Sequence, residues 1–234
     1  MVSIQDIYED GTYARINPNW HAEDSPWKAG QVLRMLEKHH LAPRSVAEIG
    51  CGADEILHAL GERLVGDCEI HGFDIAPAAI AMARRRQTGR LQFHEQDLLE
   101  TERFFDLLLV IDVVEHVPNY LEFLERCRQR ARYKIYHIPL EIHVSSVLRG
   151  RVTSARKSVG HIHYFSAESA LATLEDTGHR IIDHAFTPGA VALAALHPSL
   201  KRTVANLGRR MVSWVSEPIS SRLFGGSSLL VLTQ

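Results

Sequence analysis

Cysteine is scarce. The 234 residues hold only Cys51, Cys68 and Cys127, at spacings that suit neither a disulfide framework nor a zinc ribbon. That scarcity predicts a reducing, cytoplasmic setting. No apolar run approaches the roughly 20 residues of a membrane-spanning helix, and the first residues lack the hydrophobic core of a signal peptide. Neither sign of charge dominates. The 26 Lys and Arg against 28 Asp and Glu leave a net charge of −2, so neither nucleic acid nor an anionic membrane is expected as a partner. Repeats and low-complexity tracts are missing too. What remains is a globular chain of ordinary composition, 45% hydrophobic and 23% charged, long enough for one α/β domain with a substantial core. Histidine alone is abundant, with 14 residues.

The chain is organised around residues 46–74. Ser45-Val46-Ala47-Glu48-Ile49 is too short for a helix and reads as a buried strand. In Gly50-Cys51-Gly52 two residues lack a Cβ, so the backbone can turn sharply or meet a ligand closely. Residues 55–65 then carry Ile56, Leu57, Leu60 and Leu64 at helical spacing, and a second strand over 69–73 ends in Asp74. The unit is strand, glycine turn, helix, strand and acid. Its helix N-terminus suits an anionic group, and the acid is placed to accept both hydroxyls of a ribose. A dinucleotide fingerprint would need glycine at 55, where Glu55 stands, which argues against an NAD-linked oxidoreductase.

Glu48-Ile49-Gly50-Cys51-Gly52 resembles motif I of class I S-adenosylmethionine (SAM) dependent methyltransferases, (D/E)-x-G-x-G-x-G, with Asp54 in place of the third glycine. Asp54 either caps the following helix or faces the ammonium of the ligand. A second match is Asp112-Val113-Val114-Glu115-His116-Val117, which follows the apolar run 105–111 and resembles the D-x-x-E-H-(V/I) stretch of the same family. The stretch 160–166, Gly-His-Ile-His-Tyr-Phe-Ser, is similar to segments in methyltransferases of polysaccharide and secondary-metabolite gene clusters. The resemblance implies a Rossmann-like, doubly wound α/β fold. Its sheet would have seven mostly parallel strands, the last antiparallel, with helices on both faces. It also implies SAM as cofactor, held by Glu48, Gly50, Cys51, Gly52, Asp74, Ile75, Asp97, Leu98 and Asp112. Asp97 and Leu98 match the acid and apolar pair that meet adenine in that family, and a helix cap is the other reading of Asp97.

Along the chain, 1–43 is expected to form an N-terminal helical segment, either an extra helix on the sheet or a lid that brings Tyr13, Trp20 and His21 over the cofactor. Asp24-Ser25-Pro26 starts its helix, with Trp27, Val32, Leu33 and Leu36 as the apolar stripe. Residues 44–234 are the expected methyltransferase domain, with 140–165 as a substrate loop and 187–226 as a helical insertion before the last strand. A basic amphipathic helix is expected within 199–215.

The function so implied is transfer of the SAM methyl group to a small molecule, as O-methylation of a sugar or natural-product hydroxyl. N-methylation of an amine is the alternative within that class. A catalytically silent SAM- or nucleoside-binding protein, or an NAD-linked oxidoreductase, are the alternatives outside it. A hydroxyl acceptor calls for a general base, and the candidates are His116, His137, His161 and His163, with His161 and His163 foremost. Strand-like alternation would put His161 and His163 on one face. No carboxylate spacing matches them for a metal, so none is expected. Arg149, Arg151 and Arg156 read as a solvated surface or as contacts to an anionic substrate. The oligomeric state leaves no mark in the sequence.

Overall fold

The computed structural model describes residues 22–53, 56–64, 66–194 and 200–234. Short runs of β-branched residues and leucine form seven strands: β1 (Ser45–Ile49), β2 (Glu69–Asp74), β3 (Leu91–Glu95), β4 (Phe105–Ile111), β5 (Ala131–Pro139), β6 (Ile181–Thr187) and β7 (Ser228–Thr233). They form one sheet in the order β3-β2-β1-β4-β5-β7-β6. All pairs from β3 to β5 are parallel, and β7 runs antiparallel between β5 and β6. This is the Rossmann-like doubly wound fold that the sequence predicts. The strand order reverses between β1 and β4, which opens a crevice at their carboxyl ends.

Ten helices among the described residues flank the sheet: α1 (Ser25–Lys38), α2 (Ile56–Gly61), α3 (Pro77–Ala83), α4 (Tyr120–Arg128), α5 (Val144–Leu148), α6 (Ser154–Ser158), α7 (Ala167–Asp176), α8 (Gly189–Ala192), α9 (Leu200–Val215) and α10 (Glu217–Phe224). Side chains of β4 alternate between two cores, as a strand covered on both faces must. Leu108 and Val110 face Leu124 and Cys127 of α4 and Ala170 and Leu174 of α7. Leu107, Leu109 and Ile111 face the layer that contains Val32 and Leu36 of α1, Leu57 and Leu60 of α2, and Ile80 of α3.

Several elements differ in extent from the expectation. The second helix is described from Ile56 to Gly61 only, whereas β5 begins at Ala131, where it pairs with Phe105. The apolar and polar spacing over 120–132 predicts a helix to Arg132, and that register takes its end into the sheet. α1 buries Ala29, Val32, Met35 and Leu36, while Trp27 and Leu33 sit at the margin. Asp24 forms no side-chain cap bond; it pairs with Lys28 at 3.0 Å instead. Ser166 does cap α7, its hydroxyl accepting the Ser169 N–H. No described helix is long and apolar enough to cross a membrane.

Candidate active site

A cleft of about 770 Å³ opens at the carboxyl ends of β1, β2, β4 and β5. On the β1–β2 side the backbone shapes it. Gly50 and Gly52 both hold positive φ, +72° and +54°, and a Cβ on Gly50 would lie 2.6 Å from Val113 Cγ2. The turn thus needs glycine twice over, for its dihedral and for its space. Glu48, Cys51, Asp74 and Ile75 line the same side. Asp74 accepts the Gly52 N–H at 2.9 Å and the Ala76 N–H at 2.8 Å, one on each oxygen, so it braces the turn as well as facing the cleft. Burial raises its carboxyl, against the opposing pull of those N–H groups. Beneath the turn, Gly72 leaves room for Cys51: a Cβ there would sit 2.8 Å from Cys51 Sγ.

Asp112 closes β4 with a positive φ of 53°, a conformation that Asp tolerates better than most residues. Its carboxylate is fully engaged. His137 Nδ1–H donates to Oδ1 at 2.6 Å, and Lys28 Nζ of α1 lies 2.7 Å from Oδ2. Burial alone would raise the Asp112 carboxyl, but His137 and Lys28 together hold it well below the usual range. Burial would likewise lower Lys28, yet Asp112 and Asp24 lift it above an ordinary lysine. His137 Nε2 is 2.9 Å from Thr187 Oγ1, so the imidazole links β4, β5 and β6. The sequence reading missed Lys28. The only local sign of it is the acid four residues earlier, Asp24.

On the β4–β5 side, side chains shape the cleft. Glu115 is fully buried, and neither of its carboxylate oxygens forms a hydrogen bond. His161 Nε2 lies 3.7 Å from Glu115 Oε1. Burial, with Asp112 and Glu141 nearby, pushes the Glu115 carboxyl well above the usual carboxylate value. His161 Nδ1 hydrogen-bonds Glu141 Oε1, and Glu141 Oε2 is buried without a hydrogen bond. His116 donates from Nδ1 to the Gly160 carbonyl at 3.3 Å, and its ring meets that of His161 edge-on, centroids 4.8 Å apart.

His161 and His163 do not share a face. The Ile162 and His163 N–H groups both donate to the Glu115 carbonyl, so 160–165 wraps that oxygen rather than running as a strand. His161 consequently enters the cleft, whereas His163 packs on Tyr120, centroids 4.5 Å apart, and does not line it. Asp97 and Leu98 also stand off the lining. Asp97 Oδ1 accepts the Leu99 N–H, and Leu98 is buried in the core between the sheet and α4. Arg149 and Arg151 reach the rim of the cleft; Arg156 does not. Tyr13, Trp20, His21, Asp54 and Glu55 lie outside the described residues.

The geometry fits an adenosine-type ligand. The cleft has the volume, its β1–β2 wall lets a ligand reach the backbone, and Asp74 keeps acceptor capacity beyond its two backbone bonds. Comparison with known proteins gives the same direction. No curated protein matches the chain in sequence. Among solved structures, magnesium protoporphyrin IX methyltransferase (ChlM) from Synechocystis PCC 6803 with bound SAM superposes with a TM-score of 0.62. It is 14% identical, over 100% of this chain and 98% of that one. The N-methyltransferase NodS from Bradyrhizobium japonicum WM9, in complex with S-adenosyl-L-homocysteine, gives 0.59 at 16% identity, over 96% and 98%. A SAM-dependent methyltransferase from Archaeoglobus fulgidus gives 0.57 at 21% identity, over 88% and 93%. Such identities speak to the fold; the family rests on residues 20–184, which match the methyltransferase domain family over well more than half of the chain. With that match added to the glycine turn, the acid of β2 and the sheet order, the chain belongs to this family and is a SAM-dependent methyltransferase.

Proposed function

We propose that this methyltransferase acts on a hydroxyl of a small molecule, a sugar or a natural product, in the cytoplasm. The observation that carries the reading is the cluster of buried Glu115 with half-buried His116, Glu141 and His161 on the β4–β5 side of the cleft. A free amine can shed its proton before it meets the cofactor, and a hydroxyl at neutral pH cannot, so a site that assembles imidazoles and carboxylates is one that manages a hydroxyl proton. Family membership leaves nicotinamide-linked hydride transfer without support.

In this reading Glu48, Gly50, Cys51, Gly52, Asp74 and Ile75 hold SAM on the β1–β2 side. Bound SAM supplies a methyl group already activated by its sulfonium. The chain needs no covalent nucleophile. Its share is to hold the acceptor oxygen in line and to exclude water, effects worth up to roughly 7–11 kcal/mol, and to loosen the hydroxyl proton, worth about two to four powers of ten. Asp112 contributes by fixing α1 over the cleft through Lys28. Tyr13 and Trp20 are the further cofactor contacts of this reading, whereas Asp97 and Leu98 stand off the cleft lining. Arg149 and Arg151 at the rim suit an anionic substituent on the acceptor. The three described cysteines are free and buried, which suits a reducing compartment.

The test is a pair of measurements. His161→Ala is expected to lower turnover of a hydroxyl acceptor by about two to four powers of ten while SAM affinity by calorimetry stays the same. Labelled methyl from SAM, offered to a metabolite extract, is expected in hydroxyl-bearing products. Label confined to amines would establish the N-methylating alternative, and no label with intact SAM binding would establish a silent binder.

A further inference from the structure

Glu115 poses a problem that hydroxyl chemistry alone does not solve. A carboxylate with no exposure and no hydrogen bond to either oxygen is costly, because desolvation of such a group is offset only by a proton or a cation. Its surroundings supply ligands. One donor atom from each of Glu115, His116 and His161 lies within 4.8 Å of the others. Both imidazoles have Nδ1 committed to a protein acceptor, His161 to Glu141 Oε1 and His116 to the Gly160 carbonyl. That commitment leaves Nε2 as the lone-pair nitrogen in each neutral ring, and His161 Nε2 faces Glu115. A carboxylate on the far nitrogen of an imidazole is the usual outer partner of a metal-binding histidine, since it fixes the tautomer and raises the basicity of the ligating atom.

We propose that Glu115, His116 and His161 form a site for a divalent transition-metal ion on the β4–β5 side of the cleft, with Glu141 orienting His161. Two imidazoles and one carboxylate suit Zn²⁺, Co²⁺ or Mn²⁺ rather than Mg²⁺ or Ca²⁺, which prefer oxygen ligands throughout. Ligands held at about 2.0–2.2 Å around a tetrahedral ion stand roughly 3.4 Å apart, so a modest closing of the three side chains completes the shell. Three protein ligands leave a position open toward the cleft. An acceptor oxygen entering that position would hold its proton less tightly, which joins the site to the proposed hydroxyl chemistry. Only this last link rests on the proposed function.

Calorimetry of the full chain with ZnCl₂ tests the site, and the absorption of added Co²⁺ reports its coordination. One Zn²⁺ per chain is expected, competing with Co²⁺, with MgCl₂ giving no comparable heat. Glu115→Gln and His116→Ala are each expected to abolish that binding step, and Glu141→Gln to weaken it by about ten- to a hundredfold. His163→Ala, close in sequence but outside the cluster, is expected to leave it unchanged. Circular dichroism on each variant checks the fold. No stoichiometric binding, or binding indifferent to Glu115→Gln, would overturn the proposal. A parallel titration with SAM separates the two readings: SAM binding without Zn²⁺ binding removes only the metal site, and Zn²⁺ binding without methyl transfer to hydroxyls removes only the proposed acceptor.

Discussion

On the β1–β2 side of the cleft the backbone forms the wall, shaped by Gly50 and Gly52 and braced by Asp74. On the β4–β5 side the work falls to side chains from three separated segments: Glu115 and His116 after β4, Glu141 after β5, and His161 beyond α6. The first side stores its information in dihedral angles and missing Cβ atoms. The second stores it in buried charge. The contrast teaches that the β1–β2 wall tolerates little change in backbone, while the β4–β5 wall depends on the protonation of its side chains.

The largest effect expected from breaking that contrast is at Gly50. Gly50→Val forces a β-branched residue to φ +72° and sets its Cβ against Val113. SAM affinity measured by calorimetry is expected to fall at least about a hundredfold, close to 3 kcal/mol, whereas Glu115→Gln on the other side leaves it within about twofold. Near-normal affinity of the valine variant would move the cofactor away from this turn.

Acid sharpens the comparison, since each side rests on a buried imidazole held neutral. His71 in β2 is lowered to about 4 by burial first, then by Arg103 and His94. His179, which meets the Tyr136 hydroxyl of β5 at 2.6 Å, is lowered to about 4 by burial first, then by Lys134. In each case the unfolded chain takes its proton near 6.5 and the folded one only near 4. Stability is therefore complete above about pH 7 and falls as pH drops from 6.5 toward 4, by about 3 kcal/mol per imidazole. Urea unfolding at pH 7 and pH 4.5 measures it, and a flat profile would mean that both imidazoles take their protons as readily in the folded chain as in the unfolded one.

The smallest effect concerns the strut across the two sides. Lys28→Met leaves Asp112 with His137 as its remaining partner and is expected to cost about 2 kcal/mol in urea unfolding, below the cost of breaking a fully buried pair because Asp112 is partly exposed. An unchanged midpoint would make the contact incidental.

Sequence alone determined the strand and helix order, the position of the glycine turn, the acid of β2 and the antiparallel last strand, because each is written in consecutive residues whose period or missing Cβ leaves few conformations. It also named Glu115, His116 and His161. What it could not show was that Lys28 reaches Asp112, or that His161 and His163 part company around the Glu115 carbonyl. Those facts depend on strand order and on the path of 160–165, which bring together residues from distant segments. Local pattern fixes backbone shape, but the meeting of buried charges is decided only when the sheet is assembled.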